Sequence, residues 1–525
     1  MTGKPTRRAG RAAFPATSTR SSLRRCRPRP MRLRPARLRP VQAGPTEGVL
    51  GRLIGVFAGW CTAAVLILGV QPCAWCGENK EAPAVSPPMA DEPPKFSVRA
   101  LPPNRQSYLA LAEEIERHFQ RNIVEFWFPL VVDREFGGFR SHILADGTIG
   151  PNNDKTLVFQ SRMTWVAAQI ALRQPSRADE FRGYVRQGIK LLREVLSDRD
   201  HGGLFWGLDP SGKFKPDWGD EKHAYGIAFA IYAASAAYEA TRDADALQLA
   251  KDTFHWFDRH AHDAQHGGYY EALSRRGEVL RVAPPGRKRD LLGTPYGYKS
   301  MNSHIHLLEA VTALYEVWPD PLVEKRLGEL LEVVRDKVAV EPGCLNLYFT
   351  PAWRPVPDHD SFGHDVETAY LLTEAAGALG RKNDAATGRM ARMLVDHALE
   401  YGWDSRHGGF YDRGFAFGPA YALEKIWWTQ AEGLNALLLM HRFYGKETSR
   451  YWEAFLHQWD FIVRYQTDAE HGEWFESVSH DGRPKPGQAK ATIWKAAYHN
   501  GRALMNTAAM LRQLAGEEPS HEQPK

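Results

Sequence analysis

The sequence predicts an all-α protein whose main domain is an (α/α)6 barrel, with six helical hairpins arranged as an inner and an outer ring. Three observations support this prediction. A short glycine-rich and aromatic element recurs six times, the segments between its copies have the apolar periodicity of helices, and every second helix is enriched in small and apolar residues. Short β-hairpin elements are expected at one mouth of the barrel.

The recurring element defines six structural units. Its copies are REFGGF, DHGGLF, QHGGYY, EPGCLN, RHGGFY and EHGEWF, and their first glycines are Gly137, Gly202, Gly267, Gly343, Gly408 and Gly472. Consecutive copies lie 65, 65, 76, 65 and 64 residues apart, which is a nearly constant period. Glycine beside aspartate, serine and aromatic residues is typical of tight hairpins. Six units without an obvious capping repeat favour a closed ring over an open solenoid.

Twelve segments have apolar residues at the i, i+3, i+4 and i+7 positions of a helix with one buried face. They are 106–129, 157–174, 178–196, 222–241, 243–260, 299–317, 320–337, 364–379, 383–400, 424–445, 447–464 and 493–514. The second helix of each pair is the more apolar, as in AYGIAFAIYAASAAY at 224–238, and is predicted to belong to the inner ring. Because each inner helix begins just after a hairpin, the inner-helix starts should meet at one mouth, where the functional site is expected.

The barrel is predicted to be one part of a longer chain. Residues 1–76 form a basic leader, 77–104 a proline-rich linker, 105–516 the barrel and 517–525 a disordered tail. The leader joins an arginine-rich stretch to the uncharged segment Leu53–Val70, a pattern typical of an export signal or a membrane anchor. Cleavage after Cys76 and a true start at Met31 are both compatible with it. We therefore expect a periplasmic, secreted or membrane-anchored protein with the barrel outside the cytoplasm.

Charge and cysteine content exclude several classes of function. Residues 1–52 hold 14 lysines and arginines against one acidic residue, Glu47, so the rest of the chain has a net charge of −8. An acidic body gives no electrostatic footprint for nucleic acid. Cys344 is the only cysteine after residue 76, which excludes an internal disulfide and a cysteine-based metal site in the barrel.

Polar, ionisable and aromatic residues are concentrated at the predicted inner-helix starts. They are Gln160, Arg162, Trp165, Lys222, His223, Tyr225, Asn302, His304, His306, Glu309, His364, Asp365, Glu367, Trp427, Trp428, Gln430, Glu432, Tyr498, His499, Asn500 and Arg502. Each alone is more simply explained as structural, because helix-start histidines form hydrogen bonds and acidic residues complement the helix dipole. Their joint occurrence at six starts that share one mouth indicates a functional site.

His306 and Glu309 are the most informative pair within this set. They stand three residues apart and so share a helix face, where a carboxylate orients an imidazole and favours its protonated form. This pattern predicts a general base. His304 and His306 are two residues apart and point to different sides of the helix, which makes them a poor chelate. No metal site is therefore predicted, and no cofactor is expected because the chain lacks a GxGxxG fingerprint and a P-loop.

Six stretches at the inner-helix starts carry a family resemblance. They are KTLVFQSRMTW (155–165), KHAYGIAFAIYA (222–233), KSMNSHIHLLEA (299–310), FGHDVETAYLL (362–372), KIWWTQAEGL (425–434) and KAAYHNGRAL (495–504). In this order, the sequence resembles the N-acylglucosamine 2-epimerase superfamily over residues 105–515, and most closely its cellobiose 2-epimerase branch. The resemblance implies a sugar 2-epimerase that opens a reducing sugar and inverts carbon 2 through a cis-enediolate.

The same resemblance implies roles for individual residues. His499 matches the histidine that takes and returns the carbon-2 proton, His306 the opposing acid/base supported by Glu309, and Arg162 the arginine that stabilises the oxygen charge. Sugar-binding residues are expected at His223, Tyr225, Asn302, His364, Trp428 and Glu432. The substrate is expected to be a mono- or disaccharide, and the protein a monomer or a homodimer.

Three alternative functions share this scaffold. An aldose–ketose isomerase forms the same enediolate and protonates carbon 1 instead. A glycoside hydrolase or lyase would use a carboxylate pair drawn from Glu309, Asp365, Glu367 and Glu432. An exported carbohydrate-binding protein would bind without turnover. The loop 272–298, which accounts for the longest spacing between repeats, should lie at the mouth and influence the choice of sugar.

Overall fold

A computed structural model describes residues 99–516 of the chain. The predicted leader, most of the predicted linker and the predicted tail lie outside the described residues. Twelve helices of at least twelve residues occur in the described part. They are α1 (Arg105–Phe119), α2 (Leu157–Arg173), α3 (Ala178–Leu191), α4 (Ala224–Thr241), α5 (Ala244–Ala261), α6 (Met301–Val317), α7 (Pro321–Val333), α8 (Phe362–Ala378), α9 (Ala385–Tyr401), α10 (Trp427–Tyr444), α11 (Arg450–Phe461) and α12 (Tyr498–Leu514).

The helices form two concentric rings. The even-numbered helices pack side by side in chain order, and α12 packs against α2, which closes the inner ring. Each odd-numbered helix from α3 to α11 packs outside the inner helix that precedes it, and α1 packs outside α12. The predicted (α/α)6 barrel is confirmed.

Burial explains which helices are inside. In α4 all residues but Tyr232, Tyr238, Glu239 and Thr241 are buried, and its alanines allow neighbouring helices to approach closely. In the outer helix α5 fewer than half of the residues are buried, so that only one face of this helix meets the core. No helix between residues 99 and 516 is both long and apolar enough to cross a membrane.

The six glycine-rich elements form hairpins at the ends of the outer helices, as predicted. Their backbones pair as Val132 with Phe139, Ser197 with Leu204, His262 with Tyr269, Ala339–Val340 with Cys344–Leu345, Trp403 with Phe410 and Thr467 with Trp474. At Gly409, which has a φ of +88°, an added Cβ would lie 2.7 Å from Oε1 of Gln430. Only glycine fits there, because that oxygen accepts a hydrogen bond from the backbone N–H of Phe410.

Two-residue strands lie directly before five of the inner helices. They are Lys155–Thr156, Lys222–His223, Lys299–Ser300, Asp360–Ser361 and Lys425–Ile426, and they pair antiparallel with Gly207–Leu208, Ala272–Leu273, Tyr348–Phe349, Arg413–Gly414 and Ser477–Val478. Pro355–Val356 and Ala420–Ala422 add a third strand to two of these sheets. The strands place the first residues of the inner helices at one mouth.

A buried lysine–aspartate ion pair holds five of the six hairpins to this mouth. The pairs are Lys155–Asp133 at 2.6 Å, Lys222–Asp198 at 3.0 Å, Lys299–Asp263 at 2.8 Å, Lys425–Asp404 at 2.7 Å and Lys490–Asp468 at 2.5 Å. Each aspartate stands four residues before the first glycine of its hairpin. The pairs were not predicted from the sequence, because each joins residues of different segments.

Three residues at inner-helix starts have a structural role. Gln160 hydrogen-bonds the backbone N–H and carbonyl of Phe139, and Gln430 does the same for Phe410. Nε2 of His304 accepts from the N–H of Tyr269 at 3.0 Å. These side chains therefore secure the hairpins.

Candidate active site

A cleft of about 550 Å³ opens at the mouth formed by the inner-helix starts. Four of the predicted sugar-binding residues line it, namely Tyr225, Asn302, His364 and Trp428. The rest of the lining includes residues that the sequence did not single out: Leu292, Thr294, Tyr348, His359, Ser361, Asp412 and Arg413. Leu292 and Thr294 belong to the loop 272–298, which was expected at the mouth, and that expectation is confirmed.

His364 and Trp428 meet on one side of the cleft. Their ring centroids lie 4.7 Å apart, and Trp428 also lies 5.7 Å from the ring of His499. Nδ1 of His364 is 2.7 Å from Oγ of Ser361. Burial, and then the nearby imidazole of His306, lower the pKa of His364 to about 3. His364 is therefore a neutral imidazole with one nitrogen held by a hydroxyl.

His499 forms a pair with Glu432. Nδ1 of His499 lies 2.7 Å from Oε1 of Glu432, and both side chains are almost fully buried. Burial, followed by the charges of Arg162 and Arg502, lowers the pKa of His499 well below its usual value. Burial raises the pKa of Glu432 to about 7, although Arg502 opposes this shift. Near neutral pH the His499–Glu432 pair therefore holds one proton about half of the time.

His306 and Glu309 form the predicted second pair, at 3.0 Å. The ring of His306 packs 5.2 Å from Tyr225 and 4.7 Å from Phe229. Like His499, it is not among the residues that line the cleft. Burial alone would raise the pKa of Glu309, but the charge of Arg502 and the hydrogen bond from His306 lower it to about 2. Glu309 is thus ionised beside His306.

Arg502 connects the two carboxylate–histidine pairs. Its Nη2 donates to Glu432 at 2.7 Å and to Glu367 at 2.6 Å, and its Nη1 donates to Glu309. The hydroxyl of Tyr498 donates to the same oxygen of Glu309 at 2.5 Å. One guanidinium thus faces three buried carboxylates, a ratio that leaves excess negative charge around the histidines.

The excess negative charge affects the pKa of Glu367. Burial, and then the charge of Glu432, raise the pKa of Glu367 to about 7. Donor atoms of Glu367, Glu432 and His499 lie within 4.8 Å of one another, which is close enough for a shared cation. Because Arg502 already binds both carboxylates, this cluster has its positive charge in place. The sequence placed Glu367 and Arg502 at inner-helix starts and named Glu367 as a candidate hydrolase carboxylate. Their contact was not predicted, because it depends on four helices.

Arg162 is fixed beside the cleft by two hydrogen bonds. Its Nη1 donates to the carbonyl of Trp494 at 2.7 Å and its Nη2 to the hydroxyl of Tyr225 at 2.9 Å. The guanidinium stacks 4.4 Å above the ring of Phe229. Arg162 and His306 thus share Tyr225 and Phe229 as neighbours, and they lie on the same side of the site.

Two of the predicted sugar-binding residues differ in placement. Asn302 lines the cleft, and its Oδ1 has no hydrogen-bond partner among the described residues. The side chain of His223 is fully buried, packs 5.1 Å from Trp206 and does not line the cleft. The prediction that His223 contacts sugar stays a prediction.

Comparison with known proteins connects this geometry to a family. Residues 137–503 match the family described as N-acylglucosamine 2-epimerase (GlcNAc 2-epimerase). The chain belongs to the N-acylglucosamine 2-epimerase family. The resemblance inferred from the six inner-helix motifs is confirmed.

Individual relatives agree with this assignment. A cellobiose 2-epimerase of Bacteroides fragilis is 31% identical over 393 residues, which cover 75% of this chain and 97% of that protein. The structure of cellobiose 2-epimerase from Spirochaeta thermophila DSM 6192 superposes with a TM-score of 0.69 at 30% identity, covering 78% of this chain and 98% of that one. A D-mannose isomerase of Marinomonas mediterranea is 24% identical over 400 residues, covering 73% and 94%.

Family and relatives together show that the protein is a sugar 2-epimerase, an enzyme of the isomerase class. This family member has the (α/α)6 architecture of the cellobiose 2-epimerase structures. Aldose–ketose isomerisation is the alternative activity, and it is the activity for which the D-mannose isomerase relatives are named.

Proposed function

We propose that this family member inverts carbon 2 of the reducing unit of a disaccharide of the cellobiose type, with His364 and His499 as the two proton carriers. The observation that carries the proposal is the placement of Trp428, whose ring contacts both imidazoles at 4.7 and 5.7 Å. A sugar bound beside Trp428 would have both histidines as neighbours.

We assign the first proton transfer to His364. Burial keeps its imidazole neutral, and in the tautomer that donates Nδ1–H to Oγ of Ser361 the lone pair is on Nε2. Once the ring has opened to the aldehyde, Nε2 removes the proton from carbon 2. The electrons of that C–H bond form the C1=C2 double bond, and the carbonyl electrons move to O1. The product is a cis-enediolate and an imidazolium at His364.

The His499–Glu432 pair is suited to supply the second proton. With a pKa of about 7 at Glu432, the pair carries one proton below about pH 7. Nε2–H of His499 can be delivered to the opposite face of carbon 2 while the proton of Glu432 passes to Nδ1. The enediolate electrons return to O1 as a carbonyl, and carbon 2 is inverted. In the reverse reaction the two histidines exchange roles.

We assign Arg162 and His306 to the stabilisation of the oxygen charge. The guanidinium of Arg162 is held by Trp494 and Tyr225 before any substrate binds, so that no reorganisation is needed as charge forms on O1. The ionised Glu309 holds Nδ1 of His306 at 3.0 Å and so fixes the orientation of its ring. The sequence-based prediction gave the second proton-transfer role to His306. The experiment below distinguishes that assignment from the one to His364.

The extent of the cleft lining supports a disaccharide over a monosaccharide. The lining runs from Trp428 and His364 to Tyr348 and to the loop residues Leu292 and Thr294. The second sugar unit would occupy the part lined by the loop, and the names of the cellobiose 2-epimerase relatives agree with this choice.

Exchange of the carbon-2 proton in D2O tests the proposal. The enzyme is incubated separately with the glucose-configured and the mannose-configured epimer of the disaccharide, and deuterium at carbon 2 is followed by NMR together with epimer and ketose formation. Variants His364→Asn, His499→Asn and His306→Asn are compared. A histidine that serves one face controls exchange from one epimer, whereas a group that stabilises the oxygen affects both epimers equally.

The expected result is epimer with deuterium at carbon 2 and no ketose. His364→Asn should abolish exchange from one epimer and His499→Asn exchange from the other, while His306→Asn slows both. If His306→Asn removes exchange from one epimer only and His364→Asn removes none, the sequence-based assignment holds instead. Ketose as the main product would contradict the epimerase reading. If the unmodified protein binds the disaccharide without any proton exchange at carbon 2, it would be a carbohydrate-binding protein without turnover.

Export of the barrel is part of the proposal. The basic stretch before residue 53 and the uncharged segment Leu53–Val70 support it, since together they have the order of an export signal or an N-terminal anchor. Full-length protein with a C-terminal tag, produced in bacteria, is expected in the periplasm or bound to the membrane with a protease-accessible barrel. A tag recovered only in the cytosol would contradict export.

A further inference from the structure

The fourth repeat lacks the ion pair that holds the other five hairpins. In the strands before α2, α4, α6 and α10 the first residue is a lysine, but before α8 it is Asp360. In the other five repeats an aspartate stands four residues before the hairpin glycine. In the fourth repeat this position is Ala339. Both charges of the ion pair have therefore been replaced, and the lysine position has changed sign.

Two more buried residues meet Asp360 at this position. Asp365 comes from the first turns of α8, and His397 comes from the outer helix α9. Nδ1 of His397 lies 3.5 Å from Oδ2 of Asp360 and 4.0 Å from Oδ2 of Asp365. One donor atom from each of the three side chains lies within 4.8 Å of the others.

The three side chains share an unusual lack of partners. All are at most 3% exposed. Apart from the contact between the two carboxyl groups and that of Asp365 with the backbone of Leu345, their nitrogen and oxygen atoms have no hydrogen-bonding partner among the described residues. Buried charges are ordinarily paired or coordinate a metal.

From this arrangement we infer that Asp360, Asp365 and His397 form a binding site for a divalent cation, with zinc as the best match. A dication takes the place that a lysine ammonium has in the other repeats, and it balances two carboxylates. The inference is independent of the proposed catalytic roles. It departs from the prediction of no metal, which considered His304, His306 and Glu309 and a cysteine-based site.

The spacing of the ligand atoms fits zinc. Zinc binds imidazole nitrogen and carboxylate oxygen at about 2.0–2.2 Å, so two ligands of a tetrahedral ion lie about 3.4 Å apart. The separations of 3.5 and 4.0 Å are close to this value before any adjustment. One neutral imidazole and two carboxylates give a neutral site with a dication.

The site has a consequence for the cleft. Asp360 directly precedes Ser361, which binds Nδ1 of His364, and Asp365 directly follows His364. A cation at this position would tie α9 to the start of α8, from which His364 projects. The bound ion is therefore expected to position His364 without contacting the sugar.

Zinc content of the full-length protein tests the inference. The purified protein is stripped with EDTA, dialysed and titrated with Zn²⁺, and bound metal is counted by mass spectrometry and by calorimetry. Asp360→Asn and His397→Gln remove one ligand each, and the exposed His480→Gln is the matched control. Asp360→Lys introduces the residue that the other repeats have, and so provides a positive charge without a metal.

The unmodified protein and His480→Gln are expected to bind one equivalent of Zn²⁺ more than Asp360→Asn and His397→Gln. Zn²⁺ should raise the melting temperature of the unmodified protein and leave that of Asp360→Lys unchanged, which decides the question even if the two ligand variants fold poorly. Stripped protein that takes up no zinc would overturn the inference. Equal stoichiometry in Asp360→Lys and the unmodified protein would overturn it as well.

Discussion

Nδ1 of His499 lies 2.7 Å from Oε1 of Glu432. The same oxygen accepts a hydrogen bond from Arg502, which also binds Glu309 and thereby reaches the pair that Glu309 forms with His306. A single guanidinium thus sets the charge of both carboxylate–imidazole pairs. The protonation state of the site is therefore a property of this network, and pH-dependent measurements can reveal it.

The first prediction concerns the pH dependence of turnover. The proposed acid is the protonated His499–Glu432 pair, and the pKa of Glu432 is about 7. The active form is thus lost as the pH rises, and kcat should fall through about pH 7. In Glu432→Gln the proton can reside only on His499, whose pKa is lowered, so the falling limb should move to lower pH. We expect kcat itself to fall about 100-fold or more.

A pH profile of kcat for both proteins makes this measurement. The exposed Glu453→Gln on α11 is the matched control and should keep the profile of the unmodified enzyme. If kcat falls at the same pH in Glu432→Gln and in the unmodified enzyme, the group that titrates is not Glu432.

The second prediction concerns stability and Glu367. The pKa of this carboxyl in the folded protein is about 7, above its usual 4.5. Its protonated form therefore stabilises the fold at low pH, and this contribution is lost as the pH rises from about 4.5 through about 7. Glu367→Gln keeps an acceptor for Arg502 and removes the charge. We expect the variant to be more stable than the unmodified protein at pH 8, by on the order of 2 kcal/mol.

Urea denaturation between pH 4.5 and 8 measures this difference. Glu309→Gln supplies a contrast of opposite sign, because the pKa of Glu309 is lowered to about 2. Its ionised form stabilises the fold above about pH 4.5, and that contribution is lost as the pH falls toward 2. Glu309→Gln should therefore be destabilising at neutral pH. A loss of stability in both variants at pH 8 would contradict the charge assignment of Glu367.

The third prediction concerns Arg162 as the group that stabilises oxygen charge. Arg162→Lys keeps a positive charge but cannot bind Trp494 and Tyr225 together, since an ammonium lacks the planar fork. Because the lost interaction acts mainly on the enediolate, kcat should fall about 10²–10³-fold with little change in KM. Steady-state kinetics with the disaccharide measure both constants. The surface variant Arg182→Lys is the control, and a rise in KM alone would assign Arg162 to ground-state binding.

The repeated part of the fold could be predicted from the sequence. Hairpins at a nearly constant period and inner helices rich in alanine follow from local patterns, and the mouth was correctly located from where those helices begin. His304 and His306 were separated correctly by helix geometry alone, since His304 binds the hairpin backbone and His306 binds Glu309.

Contacts between distant segments could not be predicted in this way. The role of Arg502 depends on carboxylates from three other inner helices, and Ser361 became part of the site only through its bond to His364. A signal for Asp360 was present in the sequence, because it breaks a run of lysines that precede the inner helices. The role of these lysines can be recognised only in the structure, where each one forms an ion pair with a hairpin aspartate.

The last prediction concerns those lysine–aspartate pairs. Nζ of Lys425 lies 2.7 Å from Oδ2 of Asp404, and both side chains are buried. Lys425→Met leaves the aspartate without its counterion in a buried environment, which should cost about 3–5 kcal/mol of folding free energy. The double variant Lys425→Met/Asp404→Asn removes both charges and should recover a large part of that loss, since the amide can still accept from the backbone N–H groups of Arg406 and His407. Denaturant unfolding of the two single variants and the double variant gives the coupling energy of the pair. A double variant less stable than the sum of the single effects would mean that the ion pair does not fasten this hairpin.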